Sequence, residues 1–112
     1  MTLVKKYLMG KFGVVLGYVD KTAQTTPTAS QILKHNPNRF GWVVANLSPF
    51  DAFLGFNGQV EVDKGILVGP AGETIIRFWA DTHGELVTRE LYGISLNVCD
   101  LFIYEVIGDI ET

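Results

Sequence analysis

The sequence predicts an all-β single domain, a sandwich or barrel of eight to ten short antiparallel strands. Three observations carry that expectation. Short apolar runs rich in β-branched and aromatic residues recur along the chain. Turn signals (Asn36-Pro37-Asn38, Asn57-Gly58, Asp63-Lys64-Gly65, Gly69-Pro70-Ala71-Gly72 and Asp81 to Gly84) separate them at the spacing of sandwiches and barrels. No stretch keeps a helical period over a normal helix length.

Taken in order, residues 2 to 9 and 11 to 19 read as two strands with a tight turn at Gly10. The glycines at 10, 13 and 17 oppose a helix, because each costs about 1 kcal/mol in a helix interior. Asp20 to Thr28 is polar, Thr-rich and proline-bearing, so it reads as a loop or an arm lying over a surface. Thr28-Ala29-Ser30-Gln31 fits a capping box and one helical turn; a short strand through Gln31-Ile32-Leu33 fits equally.

Asn36 to Phe56 is the stretch around which the rest is organised. Pro37 sets its own φ and holds Asn36 extended. Phe40 to Leu47 then alternates two mostly apolar sets, as expected of a central strand covered on both faces. Asn46-Leu47-Ser48-Pro49 breaks the run and Asp51 to Phe56 begins another, so the unit reads as two antiparallel strands joined by a short loop. Brief strands follow at Val60–Val62 and Ile66–Val68, then one over Glu73–Ala80. Glu85–Thr88 leads into a strand over Arg89–Ser95, and the last strand runs through Leu101–Ile107. The expected layout is one domain over 1–112: a hairpin plus arm at 1–28, a core sandwich at 29–108, and a frayed acidic tail at 109–112.

The totals narrow the function classes. A chain of 112 residues can bury one real core without metals or disulfides. Apolar residues make up 47% and charged residues 19%, less charge than is usual, which implies either a very compact domain or, the favoured reading, surface covered by a partner. The net charge of −3 disfavours a nucleic-acid binder. The single Cys99 excludes an intramolecular disulfide and a cysteine-based zinc site, and its apolar surroundings suit a buried thiol. No apolar run reaches 18 residues, so no membrane span is expected. The N-terminal stretch carries a basic pair but is interrupted by glycines and lacks a small-x-small cleavage site. It reads as mature structure of an intracellularly made protein.

No motif with chemistry stands out. His35 and His83 are far apart and lack paired metal-ligand spacing. Ser48 and Ser95 lack a nucleophile-elbow sequence. Glu61-Val62-Asp63 lacks a calcium-loop pattern, and Gly69 to Gly72 precedes no helix that could cradle a phosphate. Asn46-Leu47-Ser48 is a formal glycosylation sequon followed by Pro49. Neither a catalytic site nor a metal or other cofactor is expected. The aromatics Trp42, Phe50, Phe53, Phe56, Phe78 and Trp79 suit either a stacking platform or a split between core and protein interface. Phe78 and Trp79 must face opposite sides of their strand. The interface candidates are Phe78, Trp79, Phe50, Phe53, Tyr7 and Phe12.

Residues 28 to 56 resemble a pattern found in small structural proteins of tailed bacteriophages: a segment ending Asn36-Pro37-Asn38-Arg39, a strand, an Asn, then a strand ending at Gly55-Phe56. The likeness continues through Gly65-Ile66-Leu67-Val68-Gly69-Pro70-Ala71-Gly72, Leu91-Tyr92-Gly93-Ile94-Ser95 and Leu101-Phe102-Ile103-Tyr104-Glu105, covering about 28 to 106. It departs in the first 20 residues and at Phe78-Trp79. The resemblance implies a β-sandwich of jelly-roll type and a virion component made in the host cytoplasm. Its most natural role is a capsid decoration or cement protein, with the major capsid protein or another virion protein as partner. A homo-oligomer, dimer or trimer, accompanies that role. The first 28 residues would reach a neighbouring subunit by strand addition. A carbohydrate- or receptor-binding module of a phage tail or fibre is the alternative.

Overall fold

Alternation of inward apolar and outward residues shapes most of the chain between residues 14 and 110, which are the residues described by the computed structural model. Eight strands form: β1 Val14–Thr25, β2 Ser30–Leu33, β3 Arg39–Asn46, β4 Ala52–Gly55, β5 Ile66–Val68, β6 Ile75–Trp79, β7 Leu91–Ile94 and β8 Cys99–Ile110. Between β6 and β7 lie one helical turn, α1 Ala80–His83, and a 3₁₀ turn over Gly84–Thr88.

The strands make two four-stranded sheets, a front sheet in the order β1-β8-β3-β6 and a back sheet in the order β2-β7-β4-β5. The antiparallel pairs β1–β8, β2–β7, β3–β6 and β4–β5 alternate between the sheets. This is a long hairpin rolled up on itself, the jelly-roll order. Between the sheets, Leu33, Trp42, Val44, Leu54, Val68, Leu91, Leu101 and Ile103 are fully buried. Trp42 stacks on Phe78 at a centroid distance of 4.6 Å, and Phe78 stacks on His83 at 4.1 Å, which closes the β6 side of the core. The all-β sandwich and its jelly-roll order therefore stand, with eight strands among the described residues.

Several local expectations are corrected. Asp20 to Thr25 is no arm: it is the second half of β1, paired with Cys99 to Tyr104 of β8. Its polar residues Asp20, Thr22 and Gln24 are the solvated side of an edge strand, while Ala23 and Thr25 turn inward. β3 and β4 do not pair with each other; the loop between them carries the chain from the front sheet to the back sheet. Alternation looks the same in a hairpin and in such a crossing, so the sequence could not separate them.

Val60–Val62 is no strand but part of a turn-rich segment whose bridge joins Glu61 to Lys64. Val60 packs with Phe53 and Ile94 over the outside of the back sheet. Asn57 does turn the chain, its Oδ1 accepting from the Gln59 N–H at 2.9 Å. Positive φ among the described glycines occurs only at Gly72 and Gly84, so Gly58 does not build the primed two-residue hairpin. The open choice at 28–33 resolves as a strand, and Asp109 and Ile110 belong to β8 and not to a frayed tail. Residues 2 to 9, with Tyr7, the turn at Gly10 and Phe12 lie outside the described residues.

Candidate functional site

The residues that carry the phage-like pattern are architectural. Asn36 accepts the Asn38 N–H on Oδ1 at 2.9 Å and the Arg39 N–H on its carbonyl at 3.1 Å, and this turn delivers Arg39 into the end of the sandwich. Arg39 is 3% exposed. Its guanidinium donates to Glu105 Oε1 at 2.8 Å, to the carbonyls of Val87 and Arg89 at 3.1 Å, and to that of Lys34 at 2.6 Å. One planar fork thereby ties β3, β8, the 3₁₀ turn and the β2–β3 loop together.

At the opposite end Asn46 is fully buried. It donates to the carbonyls of Phe50 and Val68 and accepts the Ser48 N–H at 3.0 Å, so it holds the crossing loop shut. A glycan on that side chain would have no room. The Gly69–Gly72 loop turns through Ala71 at φ 53 and Gly72 at φ 72, and the Ala71 N–H reaches the Ser48 carbonyl at 2.8 Å. Ser95 Oγ and Thr25 Oγ1 lie 2.7 Å apart in the interior, and Ser48 Oγ accepts the Asp100 N–H at 2.8 Å. Both serines thus serve the scaffold.

Two surfaces remain. The first is the outer face of the front sheet, where register sets residues in rows across the strands. One row reads Ile75, Ala45, Phe102, Thr22 from β6 to β1; the next reads Arg77, Val43, Tyr104, Asp20; the third begins Trp79, Gly41, Val106. Ile75 is 48% exposed and Trp79 38%. The indole of Trp79 lies across Gly41, where a Cβ would overlap the ring and sit 2.9 Å from the Phe78 carbonyl oxygen. That glycine lets a broad aromatic approach the backbone of β3 closely.

The second surface is a cleft of about 330 Å³ at the loop end, lined by Phe50, Asp51, Phe53, Asp63, Leu96 and Asn97 among others. Two of its lining residues, Phe50 and Asn97, meet the buried Cys99 thiol through their carbonyls, each at 3.4 Å. Asp63 holds a φ of 67 at the rim. Among the described residues no group of three or more His, Cys, Asp or Glu side chains is placed to hold a metal.

The interface candidates separate accordingly. Trp79 faces outward and Phe50 stands at the cleft, half exposed. Phe78 turns inward onto Trp42, and Phe53 is covered by the segment bearing Val60, so neither is an open anchor. Trp42 is fully buried and cannot act as a platform. His35 is exposed; His83 accepts the Trp79 N–H on Nδ1 at 3.0 Å, and the two histidines share no site. Arg39 and Glu105 are absent from the candidates that the sequence offers. The signal was present: Glu105 falls in the inward set with Leu101 and Ile103, a position where a carboxylate requires a buried partner.

No protein-family model matches the chain, and no curated protein matches it. Among solved structures, it is similar to a chain from Bacillus endospore appendages, described as a novel family of disulfide-linked pili. That likeness has a TM-score of 0.49 and 11% identity, over 84% of this chain and 87% of the other. It is also similar to dTDP-4-dehydrorhamnose 3,5-epimerase from Bacillus anthracis, solved with TDP and PPi bound. There the TM-score is 0.34 and the identity 16%, over 96% of this chain and 62% of the epimerase chain. At these values neither likeness carries a function to this chain.

Proposed function

We propose that this chain is a non-enzymatic virion structural protein that decorates a phage capsid and stabilises it by binding neighbouring capsid subunits. The observation that carries this reading is the β6 side of the front sheet's outer face, where Ile75 and Trp79 are exposed beside small residues of β3. A flat, rigidly backed apolar face suits adhesion to another protein shell. The resemblance over 28 to 106 supports the virion context. The polar groups that carry it are spent on turns and buried ties, as an adhesive scaffold requires. The test is electron microscopy of purified phage particles that encode the chain. Jelly-roll density on the capsid lattice is the expected result, and particles lacking the chain by mass spectrometry would refute the reading.

A second reading, a carbohydrate- or receptor-binding module of a tail or fibre, is favoured by one observation. Trp79 packs its ring against Gly41 and leaves it partly exposed, an aromatic surface on which a sugar face can stack. Because Trp42 is buried, a change in the exposed component of tryptophan emission on adding glycans reports Trp79. A glycan array without hits, with emission unmoved, discards this reading.

A further inference from the structure

We infer that the outer face of the front sheet is self-complementary and packs against a second copy of this chain, about a two-fold axis parallel to the strands. The inference rests on strand register, and it fills the same face that carries the capsid reading. Because the dimer is tested in solution and the capsid reading on particles, failure of one is distinguishable from failure of the other.

The four columns of the sheet are β1, β8, β3 and β6. Turning a second copy about an axis along the strands, midway between β8 and β3, lays its β1 over β6 and its β8 over β3. Arg77 and Asp20 stand at opposite ends of one row. Both are exposed, and among the described residues neither has an ion-pair partner. The rotation brings Arg77 of each copy over Asp20 of the other. It also matches size: β3 presents Val43 and Ala45 where β8 presents Tyr104 and Phe102, so large residues of one copy meet small ones of the other. Each contact occurs twice, as an isologous interface requires.

An axis across the strands would instead set Arg77 on Arg77. Like charges in register are repelled, so the register selects the first orientation. Sheets packed face to face lie about 10 Å apart with strands within about 30° of each other, a separation that an arginine and an aspartate can bridge. The back sheet offers no equal surface, because Val60 covers Phe53 and Ile94 on its outer side.

The test is sedimentation of the full chain over a concentration series, with charge-swapped variants. The wild type is expected to form a dimer that dissociates on dilution. Arg77→Asp and Asp20→Arg should each weaken it about tenfold or more, and the double variant should return to within about threefold of wild type. Within one copy the two side chains are three strand spacings apart, about 14 Å, so a rescue must come from contact between copies. Thermal unfolding of each variant checks that the fold is kept. A chain that stays monomeric into the millimolar range, a trimer, a dimer indifferent to both single swaps, or a double variant without rescue would each overturn the inference. So would a dimer that appears only after residues 1–13 are removed, which would mean that the face is closed within one chain.

Discussion

Arg39 and Glu105 form a buried ion pair at 2.8 Å, with side chains 2% and 9% exposed, at the end of the sandwich where β3 meets β8. The pair is embedded in three further bonds from the guanidinium to backbone carbonyls. Removing one partner strands the other without water. Arg39→Ala should therefore lower unfolding free energy by about 3–5 kcal/mol, measured by urea denaturation. Glu105→Gln, which keeps an acceptor oxygen, should cost only about 1–3 kcal/mol. Equal losses for the two variants would instead show that the charge of Glu105, and not the three carbonyl bonds, is what holds the guanidinium.

Asn46 makes a different prediction, because its amide donates to the crossing loop and to β5 and accepts from that loop. Asn46→Ala should destabilise by about 1–3 kcal/mol and expose Leu47 to Asp51 to protease. Asn46→Asp should be worse, since a carboxylate would then face the carbonyls of Phe50 and Val68. Limited proteolysis with mass mapping reads both.

Gly41→Ala should be disruptive although it adds one methyl. The new Cβ overlaps the Trp79 ring, so the indole must leave the sheet, at about 1–3 kcal/mol. Its emission should shift towards that of exposed tryptophan. Gly41→Ala combined with Trp79→Ala should be milder than the sum of the two, because the clash is then gone; the contact to the Phe78 carbonyl remains. A double-mutant cycle decides it.

Cys99 should be silent in the folded protein. Its thiol is fully buried and faces carbonyls. Reaction with a thiol reagent should follow the unfolding rate and become immediate in denaturant. Prompt labelling under native conditions would contradict the burial of Cys99 against the Phe50 and Asn97 carbonyls.

Trp42 supplies a contrast with Arg39. Its indole N–H is buried and makes no hydrogen bond to the protein. Trp42→Phe should thus cost little beyond lost volume, below about 1.5 kcal/mol, whereas Trp42→Ala should cost about 3–5 kcal/mol. Both follow from the same denaturation experiment.

Strand-forming runs and turn residues were legible from residues alone: β3, β6, β7 and β8 fall where apolar alternation puts them. What stayed hidden was partnership. The Thr25 end of β1 looked like a polar arm because an edge strand needs only one apolar side, and β1 supplies little even there. The short loop at Asn46–Asp51 looked like a hairpin because pairing across the sandwich depends on residues distant in sequence. Phe78 and Trp79 were correctly sent to opposite faces, yet which face was open depended on whether another segment lay over it. The row linking Arg77 to Asp20 is set by register across four strands, and no window of sequence contains it.

The rolled-up strand order also constrains how the chain is built. Its four pairings nest inside one another: β4 can meet β5 across a short connection, but β1 must wait for β8. A nascent chain still on the ribosome can close the inner turns of this spiral while its outermost ribbon, Val14–Thr25 against Cys99–Ile110, has no second half. Such long-range closure is slow, in the range of milliseconds to seconds. The front sheet, in which β8 lies between β1 and β3, is therefore the last part of the fold to be completed.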